Sequence, residues 1–182
     1  MILHIQNNAS CLSEPHARSR AGGNYFLGDI CPDMSKPPTT RPRLNGTIHS
    51  ISCIMSNVMG SSAKSEIGAT YINIQEAVPI RTFLLELGQP QPANPIQVNN
   101  STADGFANDT IKQKRSKAID MRFYWIRDRT SQGQFLIYWQ PGITNLGDYH
   151  TKHRSLAHHQ LMRPTNLHTT ENLAYFDIAH IL

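Results

Sequence analysis

Carboxylates are scarce in this chain. Thirteen aspartates and glutamates stand against seventeen lysines and arginines, for a formal net charge of +4 and an isoelectric point near 9.1. That balance permits an acidic partner such as nucleic acid without requiring one. Cysteine is scarcer still. Cys11, Cys31 and Cys53 are an odd number, show no C-x-x-C spacing and sit in the N-terminal third. This speaks against a disulfide framework or zinc ribbon and for reduced, intracellular cysteine. Strings such as Asn45-Gly46-Thr47 and Asn108-Asp109-Thr110 then carry no weight as glycosylation signals. No run approaches the roughly eighteen apolar residues of a membrane span, and the first residues lack a basic segment followed by an apolar one and a cleavage site. The expectation is a soluble, non-secreted protein. What is present, 39% hydrophobic and 16% charged residues over 182 positions, has the balance of one globular domain with a proper core.

The order of elements is readable from periodicity. Residues 1–5 are apolar and suit a short buried strand, followed by polar Gln6-Asn7-Asn8 and the breakers Pro15 and Gly22-Gly23. Residues 24–28 suggest a second strand. Residues 31–46 read as a long loop closed by the turn signal Asn45-Gly46, and 47–55 as a third strand. From Ala63 the period changes: Ile67, Tyr71, Ile74 and Val78 share one helical face. Pro79 is expected to kink or restart that helix, and a segment with Ile80, Phe83, Leu84 and Leu87 runs to a stop at Gly88 and Pro90. Residues 95–98 form a short strand candidate. Ser101-Thr102-Ala103-Asp104 has the form of a capping box, opening a helix with Phe106, Ala107 and Ile111. A further helix over 116–130 places Ile119, Phe123 and Ile126 on one side, and 134–139 alternates as a strand. Three strands, then helices interleaved with two more, suit an α/β layer with a mixed sheet.

Specific strings carry a resemblance. Ser61-Ser62-Ala63-Lys64-Ser65-Glu66-Ile67-Gly68-Ala69, Arg115-Ser116-Lys117-Ala118-Ile119-Asp120-Met121-Arg122-Phe123, and the run from Tyr138-Trp139-Gln140-Pro141 to Asp148-Tyr149-His150-Thr151-Lys152 resemble motifs of the ribonuclease H domain of copia-type LTR retrotransposon polyproteins. The resemblance spans residues 1–168 and leaves 169–182 as an unmatched tail. It implies a ribonuclease H-like α/β fold, a mixed five-stranded sheet with helices on both faces. It also implies a separated or truncated piece of a polyprotein, since nothing of the polymerase is present. The family's activity is two-metal Mg²⁺-dependent hydrolysis of RNA in an RNA/DNA hybrid.

By the same resemblance Glu66 and Asp148 retain metal-binding carboxylate positions. Asn8, in Asn8-Ala9-Ser10, and Asn99, in Val98-Asn99-Asn100, stand where the family has aspartate. An asparagine offers a carbonyl oxygen without the charge that Mg²⁺ prefers. A unit charge pair about 4 Å apart interacts by roughly 4 kcal/mol at an effective dielectric of 20, so loss of two carboxylates implies loss of ion occupancy and of hydrolysis. The expected protein is a catalytically inactive domain that retains nucleic-acid binding. A weakened hybrid-cleaving enzyme and a remnant without a role remain open alternatives.

Lys112, Lys114, Arg115 and Lys117 form a basic cluster, with Arg122 beyond it, able to neutralise phosphates without a metal. Arg127 and Arg129 follow, with Phe123, Tyr124 and Trp125 interleaved. A solvated helix face accounts for the same pattern. His150, His153, His158, His159 and His168 have no nearby cysteine and no H-E-x-x-H string, and read as a solvent-facing histidine-rich segment. No membrane partner is expected, protein partners are unspecified, and the location would be nuclear or cytoplasmic.

Overall fold

The computed structural model describes residues 1–29, 44–108 and 121–167. Cys31, the basic cluster Lys112 to Lys117, Ile111, Ile119, His168 and the 169–182 tail lie outside the described residues.

Strand β1 (Ile2–Glu14) is far longer than its apolar opening suggests, because the polar residues Gln6, Asn7 and Asn8 continue the strand and are themselves buried. A short 3-10 turn at Pro15–Ala17 leads to β2 (Arg18–Gly28). Strand β3 (Leu44–Ile54) completes an antiparallel meander. Gly22 and Gly23 do not break the chain as the sequence suggests; they lie inside β2, paired with Asn8 and Asn7 of β1. They are needed there for close approach. A Cβ on Gly23 would lie 1.7 Å from Asn73 Oδ1, and one on Gly22 would lie 2.5 Å from Thr151 Cγ2.

Helix α1 (Ser62–Glu86) starts at Ser61, whose hydroxyl accepts a hydrogen bond from the Lys64 amide at 3.3 Å. It runs through Pro79 as a single element rather than restarting. Pro79 faces solvent, where the Gln75 carbonyl, deprived of its usual amide donor, has access to water. Strand β4 (Asn94–Val98) leads directly into α2 (Ser101–Ala107). The cap of α2 is Asn100, not Ser101: its Oδ1 accepts from the Thr102 and Ala103 amides at 3.0 and 3.2 Å. Helix α3 (Met121–Ser131) precedes β5 (Phe135–Trp139), and α4 (Leu156–Asn166) follows two short 3-10 turns at Gly142–Thr144 and Leu146–His150.

The five strands form one mixed sheet in the order β3-β2-β1-β4-β5. The β1–β4 and β4–β5 pairs are parallel, as crossovers through α1 and α2–α3 require. Because side chains alternate along a strand, the sheet has two distinct faces. Leu3 and Ile5 of β1, Ile96 and Val98 of β4, and Phe135 and Ile137 of β5 pack against Ile67, Ile74 and Ala77 of α1 and Phe123 and Ile126 of α3. Each of the larger side chains stabilises the fold by about 1.5–3 kcal/mol on burial. The opposite face carries Gln6, Asn8, Asn24 and Gln97 beneath the 146–151 turn. Helix α4 reaches β3 through Thr47 Oγ1, which donates to Asn166 Oδ1 at 3.3 Å.

Candidate functional site

Asn8, Glu66, Asn99 and Asp148 are brought together where the middle of β1 meets the C-terminal end of β4. The 146–151 turn is built to lie on the sheet. Asn145 Oδ1 accepts from the Gly147 amide at 2.9 Å, and its Nδ2 donates to the Asn7 carbonyl at 2.6 Å. The Leu146 amide donates to Gln6 Oε1 at 3.0 Å. Gly147 is required at this contact, since a Cβ there would meet the Gln6 carbonyl oxygen at 2.6 Å. These bonds fix the backbone that presents Asp148.

Side-chain amides then link Asn99, Asn8 and Asp148, and a second group of amides holds Glu66. Asn99 Nδ2 donates to Asn8 Oδ1 at 2.6 Å. Asn8 Nδ2 donates in turn to Asp148 Oδ1 at 2.9 Å and to Thr151 Oγ1 at 2.7 Å. Asn7, on the opposite side of β1, donates from Nδ2 to Glu66 Oε1 at 2.9 Å and to Thr70 Oγ1 at 3.1 Å, and its Oδ1 accepts from Asn73 Nδ2 at 2.8 Å. Asn73 also accepts from the Tyr25 hydroxyl at 2.7 Å. Buried polar groups are stable when satisfied in this way.

The two carboxylates have different surroundings. Glu66 is buried within the first turns of α1. Loss of water pushes its carboxyl up to about 8, against hydrogen bonds from the Asn99 and Ala9 amides and from Asn7 that favour the charged form; Asp148 adds repulsion. At neutral pH Glu66 is therefore mostly protonated. Asp148 is paired with two cations: Lys152 Nζ lies 2.6 Å from Oδ1, and Arg154 Nη2 pairs with Oδ2.

This donor set does not fit Mg²⁺. The ion seeks several hard anionic oxygens in octahedral array. Here Asn8 and Asn99 supply amides where the ion would want charge, Asn99 donating to Asn8 and Asn8 to Asp148, and the Asp148 oxygens are already engaged by that amide and by two side-chain cations. Among the described residues no group of three or more histidine, cysteine, aspartate or glutamate side chains is placed to hold a metal ion.

Other sequence candidates lie elsewhere. Arg122 stacks over the Tyr71 ring at 5.6 Å, and Arg129 over Trp125 at 5.1 Å, on the outer side of the α1–α3 layer. Phe123 is buried in the core while Tyr124 is exposed. His150 bonds to Asn24 Oδ1 at 2.8 Å, and burial lowers its imidazole from the ordinary value. The Tyr149 hydroxyl and His159 Nδ1 meet at 2.8 Å. Asn7, Thr151 and Arg154 join the site without being sequence candidates for it, although Asn7 adjoins Asn8 in the same string. Thr151 lay within a quoted motif, but Arg154 had no signal beyond being basic and six residues past Asp148.

No protein-family model matches the sequence, and no curated protein matches it. Solved structures do match the fold. An N-terminal RNase H domain from Mycobacterium tuberculosis, solved as a fusion with maltose-binding protein, superposes with a TM-score of 0.57 at 11% identity, over 82% of this chain and 90% of that one. LC11-RNase H1, isolated from compost by a metagenomic approach, gives 0.58 at 11% identity, over 81% and 91%. The same enzyme in complex with an RNA/DNA hybrid gives 0.54 at 13% identity, over 81% and 91%. Identities this low speak to the path of the chain alone, and in that respect the mixed five-stranded sheet and its helices have a ribonuclease H-like fold.

Proposed function

We propose that this chain is a ribonuclease H-like domain of copia-type retroelement origin that no longer hydrolyses RNA and acts by binding nucleic acid. The domain is taken to cover residues 1–168, and its place of action is the nucleus or cytoplasm. The observation that carries the reading is the amide relay from Asn99 through Asn8 to Asp148. Amide donors occupy the space in which an active site of this family would gather anionic oxygens. Glu66 and Asp148 stand at retained carboxylate positions, and Asn8 and Asn99 at substituted ones.

Binding rests on charge and fold. The chain is basic, with an isoelectric point near 9.1, and α3 presents Arg122, Arg127 and Arg129 next in sequence to Lys112, Lys114, Arg115 and Lys117. Contacts of this kind engage phosphates without a metal and weaken with salt. A fold of this type binds an RNA/DNA hybrid in the LC11 complex, which makes the hybrid the first ligand to try.

Fluorescence anisotropy and cleavage of one labelled RNA/DNA hybrid test both halves. The expected result is salt-dependent binding that is the same in EDTA as in Mg²⁺, with no cleavage in Mg²⁺ or Mn²⁺. Cleavage by the natural chain that disappears in Glu66→Gln would overturn the loss of hydrolysis. Failure to bind at low salt would overturn the binding role.

A further inference from the structure

We infer that Arg154, assisted by Lys152, is a built-in cation of this site, occupying by charge the place that a divalent ion would need. The inference rests on the reading of Asn8, Glu66, Asn99 and Asp148 as one altered metal site.

Both oxygens of Asp148 are already engaged. Its Oδ1 receives Asn8 Nδ2 at 2.9 Å and Lys152 Nζ at 2.6 Å, and its Oδ2 is taken by Arg154 Nη2. Of the two cations, Arg154 is the more shielded: its side chain is 27% exposed against 53% for Lys152. A shielded pair is less weakened by solvent than an exposed one. Arginine also cannot be relieved of its charge at any ordinary pH. Its Nε is buried with no hydrogen-bond partner among the described residues.

The geometry explains how the pocket tolerates a carboxylate beside the buried Glu66 without a metal. Two positive side chains from the segment just after the turn neutralise it. Removing the asparagines alone would then not remake an ion site. New carboxylates at positions 8 and 99 would lie next to Asp148 and draw Arg154 further in, leaving the incoming ion to displace a tethered cation.

The test is Mn²⁺ binding, followed by loss of the free-ion electron paramagnetic resonance signal, with no substrate present. Four proteins are compared: the natural chain, Asn8→Asp/Asn99→Asp, the same pair with Arg154→Gln, and the pair with Arg154→Lys. The natural chain should not bind at submillimolar Mn²⁺. The triple variant with Gln should bind at least tenfold more tightly than the double, and the Lys version should resemble the double. Equal binding by the double and the Gln triple overturns the role of Arg154 while leaving the site assignment intact. No binding by any folded variant overturns both, as does tight binding by the natural chain. If the double aspartate variant does not fold, the single Asn8→Asp variant with and without Arg154→Gln reads the same property: millimolar Mn²⁺ should raise the melting temperature more when Arg154 is Gln, and equal shifts would overturn the inference.

Discussion

The two faces of the sheet are built from the same strands by opposite means. On the α1 side, alternate residues of β1, β4 and β5 are Leu3, Ile5, Ile96, Val98, Phe135 and Ile137, and they meet an apolar helix layer. On the other side the intervening residues are Gln6, Asn8 and Gln97, and they meet a turn held by side-chain amides. Apolar burial is non-directional and grows with area, so the first face gives stability without demanding particular pairs of partner atoms. The amide face gains little net free energy per bond, about 0.5–1.5 kcal/mol, but is costly if any partner is lost. Stability is therefore concentrated on one face and positional specificity on the other. The candidate site lies on the specific face, at its junction with α1.

The comparison breaks most easily at Ile137, which is buried on the apolar face beside Ala103, Phe123 and Ile126. Ile137→Ala should cost about 2–5 kcal/mol, the range for large-to-small changes in a packed core. Urea denaturation should show a lower midpoint with an unchanged slope. A loss below about 1 kcal/mol would mean that the apolar face does not dominate the stability.

Glu66 sharpens the comparison because it is a titratable group on α1 enclosed by the amide network. Its folded-state carboxyl is raised to about 8 by burial, above an unfolded value near 4.5. Its contribution to stability is therefore complete below the unfolded value and is lost as pH rises through the folded one. By linkage the loss approaches roughly 3 kcal/mol by pH 7. Burial lowers the His4 imidazole, which acts oppositely, removing stability as pH falls below about 6.5. The difference between the natural chain and Glu66→Gln isolates the first effect. The variant should gain relative stability steadily from pH 5 to 8 in thermal melts, and a flat difference would mean that Glu66 is ionised in the fold.

The apolar face was legible in the sequence and the amide face was not. Ile67, Tyr71 and Ile74 announce α1 by spacing, and the alternation over 134–139 announces β5. Hydrophobic period is the signal that sequence carries best. By the same signal Gln6-Asn7-Asn8 marks the end of a strand, whereas β1 continues to Glu14 because those side chains find amide partners distant in sequence. Gly22-Gly23 resembles a break for a similar reason: the close neighbours that demand glycine, Asn73 and Thr151, come from other elements. Four site positions were reached by motif resemblance, and Asn8, Glu66, Asn99 and Asp148 do converge. The cation on Asp148 escaped, since no local pattern ties Arg154 to it.

Gly23 tests how exacting the amide network is where it crosses to α1. Asn73 Nδ2 donates there to Asn7 Oδ1, to the Gly22 carbonyl and to the Ala69 carbonyl, while its oxygen accepts from Tyr25. A methyl group at position 23 would fall 1.7 Å from that oxygen, so Asn73 must move and at least one of these bonds must open. Overpacking of this kind costs about 1–3 kcal/mol, less than the loss at Ile137 in most of its range. The distinguishing result is in the pairing. In a Gly23→Ala/Asn73→Ala double variant the steric term disappears, and the combined loss should fall short of the sum of the single losses by at least about 0.5 kcal/mol. Strict additivity would show that the network is a set of independent bonds, and that the sheet's two faces differ in composition but not in how strongly their parts depend on one another.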